Sequence, residues 1–214
     1  MARAAQTAKK PSPQRTSAST STSASKKVSA QAKQAKQEAL LQAAVATFLR
    51  YGWKKTSMDD VARAANVSRQ GLYLHWTSKE ALFKDAVVFF IGAGVDAAIA
   101  ALNDDEDHDD VAAAVARGAV ALHAGHFDTP VAQEHVDELL EAAVAVLGTD
   151  VLHAHQPFFD AVEKRLRQAR VPRARERARV LAAACSGLKH SAASLGAYRA
   201  GVVEAVDLLV GADR

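Results

Sequence analysis

The 214-residue chain has a single cysteine, Cys185, so an internal disulfide is excluded and a reducing compartment suits it. No acidic residue precedes Glu38, and after Met1 no large apolar residue precedes Val28. That start is polar and basic, without the apolar core of a secretory signal, and it predicts a cytoplasmic protein. Long apolar runs are also missing. The most apolar stretch, residues 86–102, contains Asp96 and falls short of the roughly 20 residues a bilayer crossing needs. It predicts a buried helix and no membrane partner. Strand-like alternation and internal repeats are absent, as is any arrangement of nucleophile, base and oxyanion donors, so neither an enzyme nor a cofactor is expected. Gly92-Ala-Gly-Val-Asp-Ala97 superficially matches a dinucleotide fingerprint. It lies inside a helical run with no strand before it and is rejected.

What the chain does have is alanine, the largest single share of its 49% hydrophobic content and a strong helix former. Its charge falls into three blocks. Residues 1–36 carry +8, residues 37–85 carry +2, and residues 86–214 carry −7. A polyanion would approach the N-terminal end and be repelled by the remainder. Residues 1–32 read as a disordered basic arm, because Ser, Thr, Ala, Lys and Pro bury too little surface to offset ordering. Such an arm either grips a DNA groove or backbone, or serves as a solubilising tail.

Residues 57–82 carry the sharpest signal, two short helices joined by a tight turn. Met58, Val61, Ala62 and Ala65 share one face, with Thr56 or Ser57 as N-cap and Asp59 and Asp60 in the first turn. Asn66 tolerates the left-handed conformation the turn requires. Ser68 caps a second helix, where Leu72 and Trp76 pack inward and Arg69, Gln70 and Tyr73 face out. Arg matches guanine N7 and O6, Gln matches adenine N7 and N6, and a Tyr hydroxyl reaches a phosphate. Gly71 suits a close approach to another surface, and exposed Leu74 suits a thymine methyl or a sugar. Thr77-Ser-Lys-Glu80 fits a capping box opening a third helix. Lys79 is a cation at that helix N-terminus, against the dipole, which points to another task such as a phosphate contact.

These residues, together with Leu40-Leu-Gln-Ala-Ala-Val-Ala-Thr-Phe48, Tyr51-Gly-Trp53, Ala65-Asn-Val-Ser68, Leu72-Tyr73, His75 and Ser78-Lys-Glu-Ala-Leu82, resemble the head of the tetracycline-repressor (TetR) family of regulators. Asn66 stands where that family usually has Gly, and Trp76 where it has Phe; both keep the role. The resemblance implies an all-α protein, with a three-helix helix-turn-helix head followed by a larger helical ligand-binding and dimerisation domain. The expected boundaries are 33–80 for the head and 81–214 for the body. It also implies phosphate contacts from Thr56, Tyr73, His75 and Lys79 and base reading by Arg69, Gln70 and Gly71. Ser57 and Ser68 complete the candidate DNA-binding set.

Beyond the head, a long helix from Ser78 to Leu102 should link head and body. Further helices are expected over 109–124, 130–147, 151–170, 172–195 and 198–210, with Pro130 and Pro172 at starts and Gly125, Gly148 and Gly196 at ends. The acidic residues 104–110 read as a surface turn or helix start. The last two helices, rich in Ala, Ser, Gly and Val, suit close pairing, and the resemblance implies a homodimer through them. Arginines between 165 and 179 read as a solvated edge. Phe89, Phe90, Ile99, Leu122, Phe127, Phe158 and Phe159 either line an apolar effector cavity or fill a core. His123 and His126, with Asp128, His153 and His155, match no tight metal-ligand spacing, so no metal is expected. The expected partners are thus an operator in double-stranded DNA, a second copy of the chain and a small-molecule effector.

Overall fold

The computed structural model describes residues 20–104, 110–127 and 135–211. The chain divides into two units, residues 1–37 and residues 38–214. Helix α1 (Thr20–Lys55) contributes to both. The expected disorder of residues 1–32 therefore meets helix from residue 20, with Ala, Gln and Lys of high helix propensity from residue 30 onward; residues 1–19 lie outside the described residues.

Every regular element among the described residues is helical. In the second unit, α1 buries Leu40, Leu41, Ala44, Thr47 and Phe48 and breaks at Gly52, whose φ of 76° is left-handed. Helix α2 (Met58–Ala64) and helix α3 (Arg69–Tyr73) follow. Five residues cannot sustain an isolated helix. α3 is instead held by Leu72, fully buried, and by Trp76, whose N–H returns to the Leu72 carbonyl at 3.1 Å. Helix α4 (Lys79–Leu102) starts at Ser78, which accepts from the Ala81 N–H at 3.1 Å, one residue later than a cap at Thr77 would place it.

The body continues with α5 (Val111–Phe127), α6 (Val136–Leu147), a 3-10 turn (Gly148–His153), α7 (Gln156–Gln168), α8 (Ala174–Ser191) and α9 (Leu195–Val210). Asp110 caps α5 by accepting from the Ala112 and Ala113 N–H groups at 3.0 and 3.1 Å. Residues 105–109 of the acidic stretch, and Pro130 with its expected helix start, lie outside the described residues. Several boundaries differ from expectation. Gly125 lies inside α5, the helix expected from 151 begins at Gln156 after the 3-10 turn, and Gly196 sits in the first turn of α9 because Ser194 caps that helix.

Two hydrophobic cores result. The body core packs α5 against α4 and α9, and α8 against α7 and α9, around Val115, Phe158, Leu166, Leu181 and Tyr198. The head core joins α1 to α4 around Phe48, Leu72, Trp76 and Phe83. Ala142 and Ala143 of α6 belong to it as well, within the unit of residues 38–214. α4 is long and apolar enough by length and composition to cross a bilayer; here Leu82, Phe83 and Ala86 enter the head core and Val95, Ala98 and Leu102 the body core.

Candidate nucleic-acid interface and effector cavity

Ser57 caps α2 through a reciprocal box: the Asp60 N–H donates to Ser57 Oγ at 3.3 Å, and the Ser57 N–H donates to Asp60 Oδ2 at 3.0 Å. The Ser57 hydroxyl, which also donates to Asp60 Oδ2, and then the Ser57 N–H hold the Asp60 carboxyl below its ordinary range. The turn after α2 is a Schellman motif, with Val67 N–H on the Ala62 carbonyl at 2.9 Å and Asn66 left-handed at φ 53°. Ser68 then caps α3, accepting from the Gly71 N–H at 3.0 Å. A Cβ on residue 71 would sit 3.1 Å from that hydroxyl, so part of the need for glycine is internal.

On the outer side of α3, Arg69, Gln70, Tyr73 and His75 are all exposed, and Leu74 is 82% exposed. The Arg69 guanidinium lies 5.6 Å from the Tyr73 ring centre and 3.2 Å from Asp59 Oδ2. An exposed pair of this kind is weak and orients the guanidinium without locking it.

Two of the expected contact residues are committed elsewhere. Thr56 is buried, and its hydroxyl donates to the Gly52 carbonyl at 2.7 Å, which leaves Ser57 as the N-cap. Lys79 turns its ammonium inward, donating to the Trp53 and Thr56 carbonyls at 3.0 and 3.1 Å and resting 4.2 Å from the Trp53 ring centre. The cation that seemed misplaced on its own helix caps the end of another, where carbonyls lack partners after the break at Gly52. Glu138 of α6 accepts from the Lys54 N–H at 2.5 Å. Nothing in the local sequence marks either long-range bond.

Beneath the head lies a cavity of about 590 Å³, walled by Val45, Phe83, Phe90, Leu122 and Leu139 among others. Of the residues expected to line it, Phe90, Leu122, His123 and His126 do so. Phe89 packs against the head core. Ile99 and Phe127 pack against the body core, and Phe158 and Phe159 are buried inside it. Phe158 packs on Gly118, where a Cβ would meet its ring at 2.8 Å.

The histidines divide similarly. His123 is buried with Nδ1 2.8 Å from the Tyr198 hydroxyl, which itself donates to the Ala119 carbonyl at 3.2 Å. Tyr198 has one hydroxyl proton for these two bonds, so when it goes to Ala119 the imidazole donates from Nδ1. Burial, followed by the nearby Lys189 charge, pushes His123 down to about 2 and His155 to about 4, and lowers His126. The His155 ring lies 5.0 Å from that of His123, whereas His153 is exposed. Asp128 lies outside the described residues, and among the described ones no group of three or more His, Cys, Asp or Glu is placed to hold a metal. Cys185 is buried and its thiol is pushed up to about 11 by that burial, which makes it unreactive.

Residues 40–86 match the family model described as bacterial regulatory proteins, tetR family. The chain is 40% identical over 60 residues to the "Probable acrEF/envCD operon repressor" of Escherichia coli K12, covering 28% of this chain and 27% of that one. It is 33% identical over 91 residues to the "Uncharacterized HTH-type transcriptional regulator YfiR" of Bacillus subtilis 168, covering 42% of each. The matched stretches thus span less than half of these relatives. The fold agrees over a longer range with a protein of Mesorhizobium loti MAFF303099 described as a TetR-family transcriptional regulator, at a TM-score of 0.61 and 19% identity over 83% of this chain and 96% of that one. The head, residues 40–86, thus matches the tetR family of bacterial regulatory proteins in sequence, and the rest of the chain shares its fold with a solved regulator of that description.

Proposed function

We propose that this protein is a DNA-binding transcriptional repressor, acting as a homodimer and released from its operator when a small molecule fills the cavity beneath the head. One observation carries the reading: the helix-turn-helix presents Arg69, Gln70 and Tyr73 together on an exposed face, and the helix that follows it forms a wall of an apolar cavity. Arg69 and Gln70 would read base edges from α3 while Tyr73, His75 and the caps at Ser57 and Ser68 meet phosphates. The bonds of Lys79 and Glu138 tie α4 and α6 to the end of α1, so a ligand that shifts α4 or α6 disturbs the base of the head. Release requires that the ligand prefer the DNA-incompetent arrangement, and by linkage operator must weaken ligand binding by the same factor.

The dimer reading is supported by the outer faces of α8 and α9, where Val180, Val203 and Leu208 are exposed, the last at 72%. One short helix reads little sequence, and a two-fold pair reads two half-sites. Gel shifts on the DNA upstream of the protein's own coding sequence test the whole reading. Arg69→Ala or Gln70→Ala should cost roughly 1–3 kcal/mol per half-site on that DNA and little on random DNA, whereas Tyr73→Phe should weaken both alike. Equal losses on both DNAs for the first two variants would assign base reading to other residues. A tightly bound ligand with the same affinity in the presence and absence of operator would leave a regulator that needs no effector.

A further inference from the structure

The polar groups of the cavity are of one electrical kind. Its walls are apolar along Val87, Phe90, Ile91 and Leu139, and among the described residues its ionisable lining is Lys189 with four histidines and no Asp or Glu. Lys189 is partly buried and has no carboxylate partner among the described residues. Burial lowers its proton affinity, and its charge in turn helps keep the neighbouring imidazoles of His126 and His155 neutral. Among the described residues the lining thus holds one positive charge with no carboxylate beside it, next to the His126 and His155 rings, each of which can offer an N–H. A lone ammonium away from water is costly unless a counter-charge arrives.

We propose that the cavity takes an organic monoanion, whose acidic head meets Lys189 with His126 and His155 as further donors while its apolar body lies along Phe90, Ile91 and Leu139. At about 590 Å³ the space suits one small organic molecule. Its consequence for DNA rests on the effector reading above; its binding does not, and is measured without DNA.

The test uses two fluorescent probes with the same apolar body, anilinonaphthalene sulfonate and its uncharged counterpart N-phenylnaphthylamine, on the full chain. The sulfonate should bind one molecule per chain and roughly tenfold or more tighter than the neutral probe, the scale of a charged hydrogen-bonded contact. Lys189→Met should remove that preference while leaving the neutral probe within about twofold, and Lys189→Arg should keep it. Dodecanoate and dodecyl phosphate should displace the sulfonate far better than dodecan-ol, and the better of the two identifies the head group. Equal affinity of the probes for the unaltered protein, no binding of either, or displacement by the alcohol as readily as by the acids would overturn the proposal. The first of these needs no variant to fold. If the anion binds as described and operator affinity does not change, the inference stands and the ligand-release reading fails.

Discussion

Lys79, anomalous in sequence as a cation at a helix N-terminus, finds partners within the fold. Its ammonium holds two backbone carbonyls of the α1 end, so Lys79→Met should lower stability by about 1–3 kcal/mol in urea denaturation, the range for charged hydrogen bonds. It should leave the salt dependence of DNA binding unchanged; a slope shallower by about one would show a phosphate contact after all. His123 and His155 give a pH signature. Both have folded-state values far below the ordinary 6.5, so below that pH the unfolded chain takes up protons that the folded one refuses. Stability is therefore fully present above about pH 6.5 and is lost as pH falls, at about 1.4 kcal/mol per pH unit for each histidine. The His155 contribution levels off near pH 4, where its folded form also protonates, and that of His123 continues toward pH 2. Urea midpoints measured between pH 7 and 4.5 should show His155→Gln losing part of this slope; an unchanged slope would mean the ring is charged in the folded protein.

At the scale of elements, α4 and α5 touch through a reciprocal pair of glycines. A Cβ at Gly94 of α4 would lie 2.9 Å from the Leu122 carbonyl oxygen of α5, and a Cβ at Gly118 of α5 would lie 2.9 Å from the Ala98 carbonyl oxygen of α4. Gly118→Ala, which also meets the Phe158 ring, should destabilise the fold by about 1–3 kcal/mol despite its better helix propensity, measurable by urea denaturation. Gly187, with nothing near, should gain stability from the same change. Elements whose causes are local were legible in sequence: the α2 face, the left-handed Asn66, the Ser68 cap and the α4 span all follow from residues within four positions of one another. The helix ends in the body were less so: Ser194 competes with the nearby Gly196 as a boundary signal. The division of phenylalanines between core and cavity was not legible. Phe158 and Phe90 have the same chemistry, and only the packing of distant helices decides which meets Tyr198's core and which faces open space. The link from His123 to Tyr198, 75 residues apart, left no trace in local spacing.

At the scale of the whole molecule, charge and association carry the predictions. Deleting residues 1–28 removes six basic groups and should flatten the salt slope of DNA binding while leaving the helical content of residues 38–214 in place. An unchanged slope would mean that segment stays off DNA. Leu208→Asp on the exposed side of α9 should shift the protein from dimer to monomer in sedimentation equilibrium; a variant that remains dimeric would move the interface elsewhere. The shared head core has a consequence for engineering. Because Ala142 and Ala143 complete that core and Glu138 accepts from Lys54, the DNA-reading part is not an interchangeable cassette. A chimera that grafts residues 38–80 onto another regulator's body would leave a hole on the side α6 fills and a backbone N–H without its acceptor. To keep its specificity on a foreign body, the graft must carry α6 with it, or that body must already present two small apolar residues and a carboxylate at the same places.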